Sequence, residues 1–241
     1  MPHDAPFDWQ LDYQLPLESG LNAIGIGVIG AGFIVRDCHL VAYQQAGFRV
    51  VGIAYRTKAR AEEVAAARHV PRVYDDYQQL LRDPLVEVVD IGVPPQDQPA
   101  IIRKIVHHAS HIRGILAQKP LAMSYAEGRE IVELCERAGI VLAVNQNMRH
   151  DQSVRAAKDL LERGLLGQPI LGTIDMRAIP HWMPWSQQLP SLSTFVMSIH
   201  HLDCFRYWFG NPTRVMASTR PDPRTTFPHS DGINLYILEF D

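Results

Sequence analysis

Short, almost wholly apolar stretches alternate along the first 145 residues with segments whose apolar positions recur every three or four residues. That alternation predicts parallel strands covered by helices. Ile24–Ile29 reads as a buried strand, followed by a glycine-rich turn and a helix to about Gln45. Arg49–Tyr55 is a second strand, and Thr57 is placed to cap an alanine-rich helix ending near Arg68. A short helix is expected at Tyr77–Leu81, and a third strand at Val86–Val93 is stopped by Pro94 and Pro95. A helix across Ile101–His108 leads to the strand Ile112–Ala117. Ser124 and Glu127 form a capping box that opens a helix to Ala138, and Ile140–Val144 closes the run as a strand. This is the order of a doubly wound α/β domain.

The pattern changes after about Gln146. Ser153–Arg163 is helical and is ended by Gly164 and Gly167. A strand is expected at Ile170–Ala178, then a loop rich in Pro and Trp over Ile179–Pro190 and a helix from about Ser193 to Phe209. Thr213–Ser218 and Ile233–Phe240 read as strands. The expected organisation is an N-terminal extension over 1–21, a doubly wound α/β domain over 22–145, and an α+β domain over 146–241. A sheet that stops straight after a strand exposes an edge, so the second domain is read as partial and the chain as truncated.

Composition narrows the class of partner. Across 241 residues, 23 Lys+Arg stand against 26 Asp+Glu, with no basic block. Nucleic acid and anionic membranes are therefore not expected as partners. The longest apolar run, Ala23 to Val35, is too short to span a bilayer. Residues 1–22 hold Asp4, Asp8, Asp12 and Glu18 but no Lys or Arg, unlike a signal or transit peptide. Cys38, Cys135 and Cys204 are scattered and suit a reducing compartment, so a cytoplasmic location is expected.

The candidate chemistry begins at Gly30-Ala31-Gly32-Phe33-Ile34-Val35, between a strand and a helix. Gly30 permits the tight turn, and Gly32 lets the backbone approach a pyrophosphate at the helix N-terminus. Val35 holds the third glycine's place, so wider helix–strand packing is expected there. At the end of the second strand, Tyr55 fills the position where an NAD site carries an acid, and Arg56, Thr57 and Lys58 offer donors to a 2′-phosphate. NADP is accordingly preferred over NAD. Gln118-Lys119-Pro120 lies at the carboxyl edge of the sheet, where Pro120 stops the strand and presents the Lys119 ammonium.

Taken in order, the Gly30-x-Gly32 turn, Tyr77-Gln78-Gln79-Leu80-Leu81, Val93-Pro94-Pro95, Gln118-Lys119-Pro120 and Ile199-His200-His201-Leu202-Asp203 resemble successive landmarks of one family. It is the glucose-fructose oxidoreductase/inositol dehydrogenase/MocA family of oxidoreductases, and the resemblance covers about residues 22–241. It implies a Rossmann domain followed by a domain with an open, largely antiparallel sheet. It also implies NAD(P)-linked hydride transfer at a sugar or polyol carbon, while the open edge of the C-terminal sheet offers a surface for association into homo-oligomers. On this resemblance the coenzyme contacts are Gly30, Gly32, Phe33, Ile34, Tyr55, Arg56, Thr57, Val93, Pro94, Pro95, Gln98, Gln118 and Lys119. Lys119, whose proline bond is usually cis in the family, and His200 are the catalytic pair. Arg149, Trp182, His200 and Asp203 face the substrate. Three positions depart from the family pattern: Gln118 replaces a Glu, Gln98 stands where a His is frequent, and Val196 where an acid is common.

His200, Asp203 and Cys204 share metal-compatible spacing on one helix, as do His107 and His111, but neither set has evident partners and no metal is expected. His200 suits proton transfer near neutral pH, and His201 points elsewhere on the helix. Trp182 and Trp185 could stack on a sugar face or serve as packing aromatics. Two alternatives stay open: a non-catalytic NADP or sugar binder, and a reductase of a non-sugar carbonyl or imine.

Overall fold

The computed structural model describes residues 20–177, 183–189 and 191–241. All but the last two residues of the expected N-terminal extension therefore lie outside the described residues, as do Trp182 and parts of the Pro/Trp loop. The chain divides into two compact units that meet in sequence at Asn145 and Gln146.

The first unit is a six-stranded parallel sheet. Its strands are β1 (Gly25–Ile29), β2 (Arg49–Ala54), β3 (Val73–Tyr74), β4 (Val88–Ile91), β5 (Gly114–Gln118) and β6 (Val141–Asn145). They lie in the order β3-β2-β1-β4-β5-β6, the doubly wound order whose switch point falls between β1 and β4. Residues alternate across the sheet. Ile26, Val28 and Ile53 pack beneath α1 (Leu40–Ala46) and α2 (Lys58–Arg68), with Val35, Leu40, Ala61 and Val64. Ile29, Ile91 and Ile115 pack on the other face with Leu80 of α3 (Tyr77–Leu80), Ile102 and Ile105 of α4 (Gln98–His108), and Ile131 of α5 (Tyr125–Ala138).

Local signals set the helix starts. Ser124 accepts the Glu127 N–H, as the capping box requires, and Asp76 does the same for Gln79. Thr57 does not cap α2 with its side chain. Its carbonyl takes the Arg60 and Ala61 N–H groups instead, and its side chain is left in solvent. The helix after β1 opens with wide π-type winding over Ile34–His39 before continuing as α1.

The second unit contains α6 (Gln152–Glu162), α7 (Ile199–Phe209) and the antiparallel pair β7 (Arg214–Arg220) and β8 (Ile233–Glu239). Trp208 of α7 donates to the Val154 carbonyl of α6 at 3.0 Å, and Phe209 packs edge-on against Phe240. The strand expected at Ile170–Ala178 is not formed over its described residues. A strand needs a ladder partner, and this segment has none among the described residues. Ile170 and Leu171 stand 97% and 84% exposed. Both faces of β7 are likewise open, and Val215, Met216, Leu235 and Ile237 are exposed.

Candidate active site

Four of the expected site segments gather at the carboxyl ends of the parallel strands. Gly30 follows β1, Tyr55–Thr57 follows β2, Val93–Pro95 follows β4, and Gln118-Lys119 ends β5. This edge is where open α/β sheets bind ligands.

The glycine turn is shaped by close approach. Gly30 has φ +134°, and a Cβ there would sit 2.4 Å from the Gly92 carbonyl oxygen. A Cβ on Gly32 would meet nothing within 4 Å, so the turn leaves open space beside bare backbone at the start of a helix. A pyrophosphate fits such a cradle. The wider packing expected at Val35 is not what makes room for its side chain. Gly92 does so: a Cβ on Gly92 would fall 2.2 Å from a Val35 methyl, and Val35 is fully buried.

Beyond β2, Tyr55 packs partly into the core and the Arg56 guanidinium lies 5.9 Å from its ring centre. Arg56 and Thr57 are exposed. Lys58, expected among the phosphate donors, is paired with the Asp75 carboxylate. Arg56 thus lies exposed at this strand end beside a Lys58 that is already paired.

Two side chains expected to touch coenzyme are engaged with protein. Gln98, wholly buried at the start of α4, donates to the carbonyls of Gln118 and Pro120, both at 2.9 Å. Its own carbonyl accepts the Gln118 N–H at 2.7 Å. Three hydrogen bonds thus bracket the Lys119–Pro120 bond, which is cis. The Gln118 side chain turns inward, its Nε2 lying 2.8 Å from Nε2 of buried His39. Nδ1 of His39 lies 2.7 Å from Asp90 Oδ2, and Tyr43 donates to the same oxygen at 3.0 Å. Asn145, ending β6, brings its Nδ2 within 2.9 Å of His39 Nε2. Burial and the adjacent Asp90 charge push the Tyr43 phenol up, keeping it a donor. This network went unread in the sequence, although Asp90, an acid inside the apolar run Val88–Ile91, had to find a buried partner.

Lys119 is half-buried, and burial pushes its ammonium down to about 8. It is thereby poised to exchange its charge close to physiological pH.

In the second unit, His200 is buried on α7, and Asp203, Cys204 and Tyr207 share its face at helical spacing. Arg149, in the turn Asn147–His150, donates Nε and Nη2 to the two Asp203 oxygens at 2.9 and 2.6 Å. Its guanidinium also lies 5.0 Å from the Tyr207 ring centre. Two residues expected to face substrate therefore hold each other. His201 lines a different side of α7 with Leu202, Phe205 and Phe209, along a groove toward β8. Burial pushes the His201 imidazole down and the Cys204 thiol up to about 11. The Trp185 ring is half-buried.

Comparison with known proteins identifies the family and the fold. A family model described as an oxidoreductase family with an NAD-binding Rossmann fold matches residues 24–146. D-apiose dehydrogenase from Paraburkholderia graminis is 30% identical over 198 residues, which are 80% of this chain and 51% of that protein. The 1,5-anhydro-D-fructose reductase of Ensifer adhaerens is 26% identical, over 75% of this chain and 55% of its own. An oxidoreductase from Agrobacterium radiobacter, solved with NAD+, L-tartaric acid and magnesium, superposes with a TM-score of 0.81 at 26% identity. That superposition covers 90% of this chain and 63% of that one. The chain spans about half the length of the curated relatives it matches.

Proposed function

The chain belongs to the Gfo/Idh/MocA family of NAD-binding oxidoreductases, and from that premise we propose that it transfers hydride between a nicotinamide coenzyme and a sugar or polyol carbon. The observation that carries this reading is a juxtaposition within the first unit. The Gly30–Gly32 cradle opens at the switch point, and Lys119 follows the end of β5 on the same edge, flanked by the Gln118 and Pro120 backbone groups that Gln98 clamps.

Gly30, Gly32, Phe33 and Ile34 would hold the pyrophosphate, and Val93–Pro95 would border the nicotinamide half. Bound there, the coenzyme supplies the hydride acceptor or donor. The charge of Lys119 stabilises the alkoxide that develops on the substrate oxygen. His200 accepts the hydroxyl proton in oxidation and returns it in reduction. Asp203 and Arg149 fix the face of α7 that bears His200. NADP is the preferred coenzyme, supported by Tyr55 in the usual acidic position and by exposed Arg56 beside it. D-apiose and 1,5-anhydro-D-fructose, named in the relatives' activities, set the range of sugars to try first.

The test is a panel of aldoses, ketoses and polyols assayed with each coenzyme by nicotinamide absorbance, beside fluorescence titration of coenzyme binding. Turnover that is lost in Lys119→Ala while binding persists supports the reading. Tight coenzyme binding with no turnover across the panel would make the chain a binder. Absence of binding would sink both.

A further inference from the structure

We propose that His39 is a positioning residue for Lys119, acting through Gln118 as a neutral imidazole protonated on Nδ1; the inference rests on the reading of Lys119 as the charge-stabilising group. Four side chains converge on or beside this ring, and they come from different elements. Asp90 is on β4, Gln118 on β5, Asn145 on β6 and Tyr43 on α1. His39 itself lies in the helix that begins at the glycine cradle. One buried ring thus ties that helix to the carboxyl ends of three neighbouring strands, and the middle strand carries Lys119.

Donor and acceptor chemistry fixes the form of the ring. Asp90 Oδ2 accepts from the Tyr43 hydroxyl and faces His39 Nδ1, so the ring hydrogen belongs on Nδ1. In the amide orientations seen here Nε2 faces two amide nitrogens, which can only donate, so the matching ring form presents its lone pair to them. A carboxylate at 118 would offer Nε2 acceptors alone and would require a second ring proton. Gln118 makes the neutral ring the matching partner. The consequence falls on the next residue. Gln118 is fixed at its side chain by His39 and at its backbone N–H and carbonyl by Gln98. The Lys119 backbone is thereby held from the preceding residue, and its side chain leaves the strand end from that fixed point.

Two readouts test this without any turnover. In the chain labelled with ¹⁵N-histidine, His39 should show a protonated Nδ1 and a bare Nε2, and Gln118→Glu should protonate both nitrogens at the same pH. A protonated Nε2 in the unaltered chain overturns the proposal. The chain's lysines are Lys58, Lys104, Lys119 and Lys158, so ¹³C-methylation resolves Lys119 by NMR titration. His39→Leu should raise its midpoint by about one unit or more toward the ordinary lysine value. His39→Gln, which can donate to Asp90 and accept from the amides, should leave it in place. An unmoved midpoint in a folded His39→Leu chain overturns the proposal. If that variant does not fold, Gln118→Ala is read the same way. A Lys119 shift in a protein that oxidises no sugar would leave the positioning role standing and remove the proposed function; turnover with an unmoved Lys119 would do the reverse.

Discussion

Arg149 and Asp203 meet in a two-point ion pair that fastens the turn after β6 to α7, with the Tyr207 ring beneath the guanidinium. Each side chain thus holds the other in place. Arg149→Ala and Asp203→Ala should each destabilise the chain by about 1–3 kcal/mol, the range for hydrogen bonds to charged groups. In denaturant unfolding the double substitution should cost less than the two added, because they remove one shared interaction. If Arg149→Ala raised KM with unchanged stability, it would be a substrate contact and not a brace.

Lys119, as the proposed charge-stabilising group, should set the alkaline limb of activity. A lysine is charged below its pKa, so the ammonium is present at neutrality and lost as pH rises through about 8. The profile of kcat/KM, which reports the free enzyme, should fall on that side. Lys119→Arg retains a charge at all accessible pH and should move the limb upward, whatever it does to the absolute rate. A limb unmoved by this change would belong to another group.

Gln98 should behave as a structural clamp. Gln98→Leu keeps the apolar bulk but strands the Gln118 N–H and two carbonyls in the interior, at about 1–3 kcal/mol for each unsatisfied group. Thermal unfolding should shift downward by several degrees. A direct coenzyme contact would instead show as weaker binding with unchanged stability.

Arg56 should discriminate between coenzymes. Lys58 is committed to Asp75, so Arg56→Ala should cost about 1–3 kcal/mol of NADPH affinity and little for NADH. Equal affinity of the unaltered chain for the two would remove the basis for NADP preference.

His200 and His201 should separate cleanly. Neighbouring helix residues point roughly 100° apart, and only His200 shares the face braced by Arg149. His200→Ala should lower turnover by about 10²–10⁴-fold, with His201→Ala far milder. The opposite ranking would reassign the base.

The sheet order was legible because its strands are apolar runs bounded by glycine, proline and capping residues. Val73–Tyr74 was not, since two residues are too few to show alternation. Ile170–Ala178 misled for the opposite reason. Its residues have strand composition, but a ladder also needs a neighbour, which composition does not encode. Lys119 and His200 stand out as candidates by motif alone. The protein partners of Gln98 and Gln118 could not be read, because an amide reads alike whether it meets a ligand or a backbone carbonyl. The His39 network needed three strand ends to be brought side by side, which no local pattern reports.

Val35 and Gly92 divide a single allotment of volume between them. Restoring glycine at 35 would remove the side chain that occupies the space beside Gly92, and Gly92→Ala would press on the Val35 methyl group. Each change should be harmful alone, while the pair Val35→Gly and Gly92→Ala should be tolerated. These two sites are thus epistatic, and effort to retune the coenzyme turn of this chain has to move them jointly.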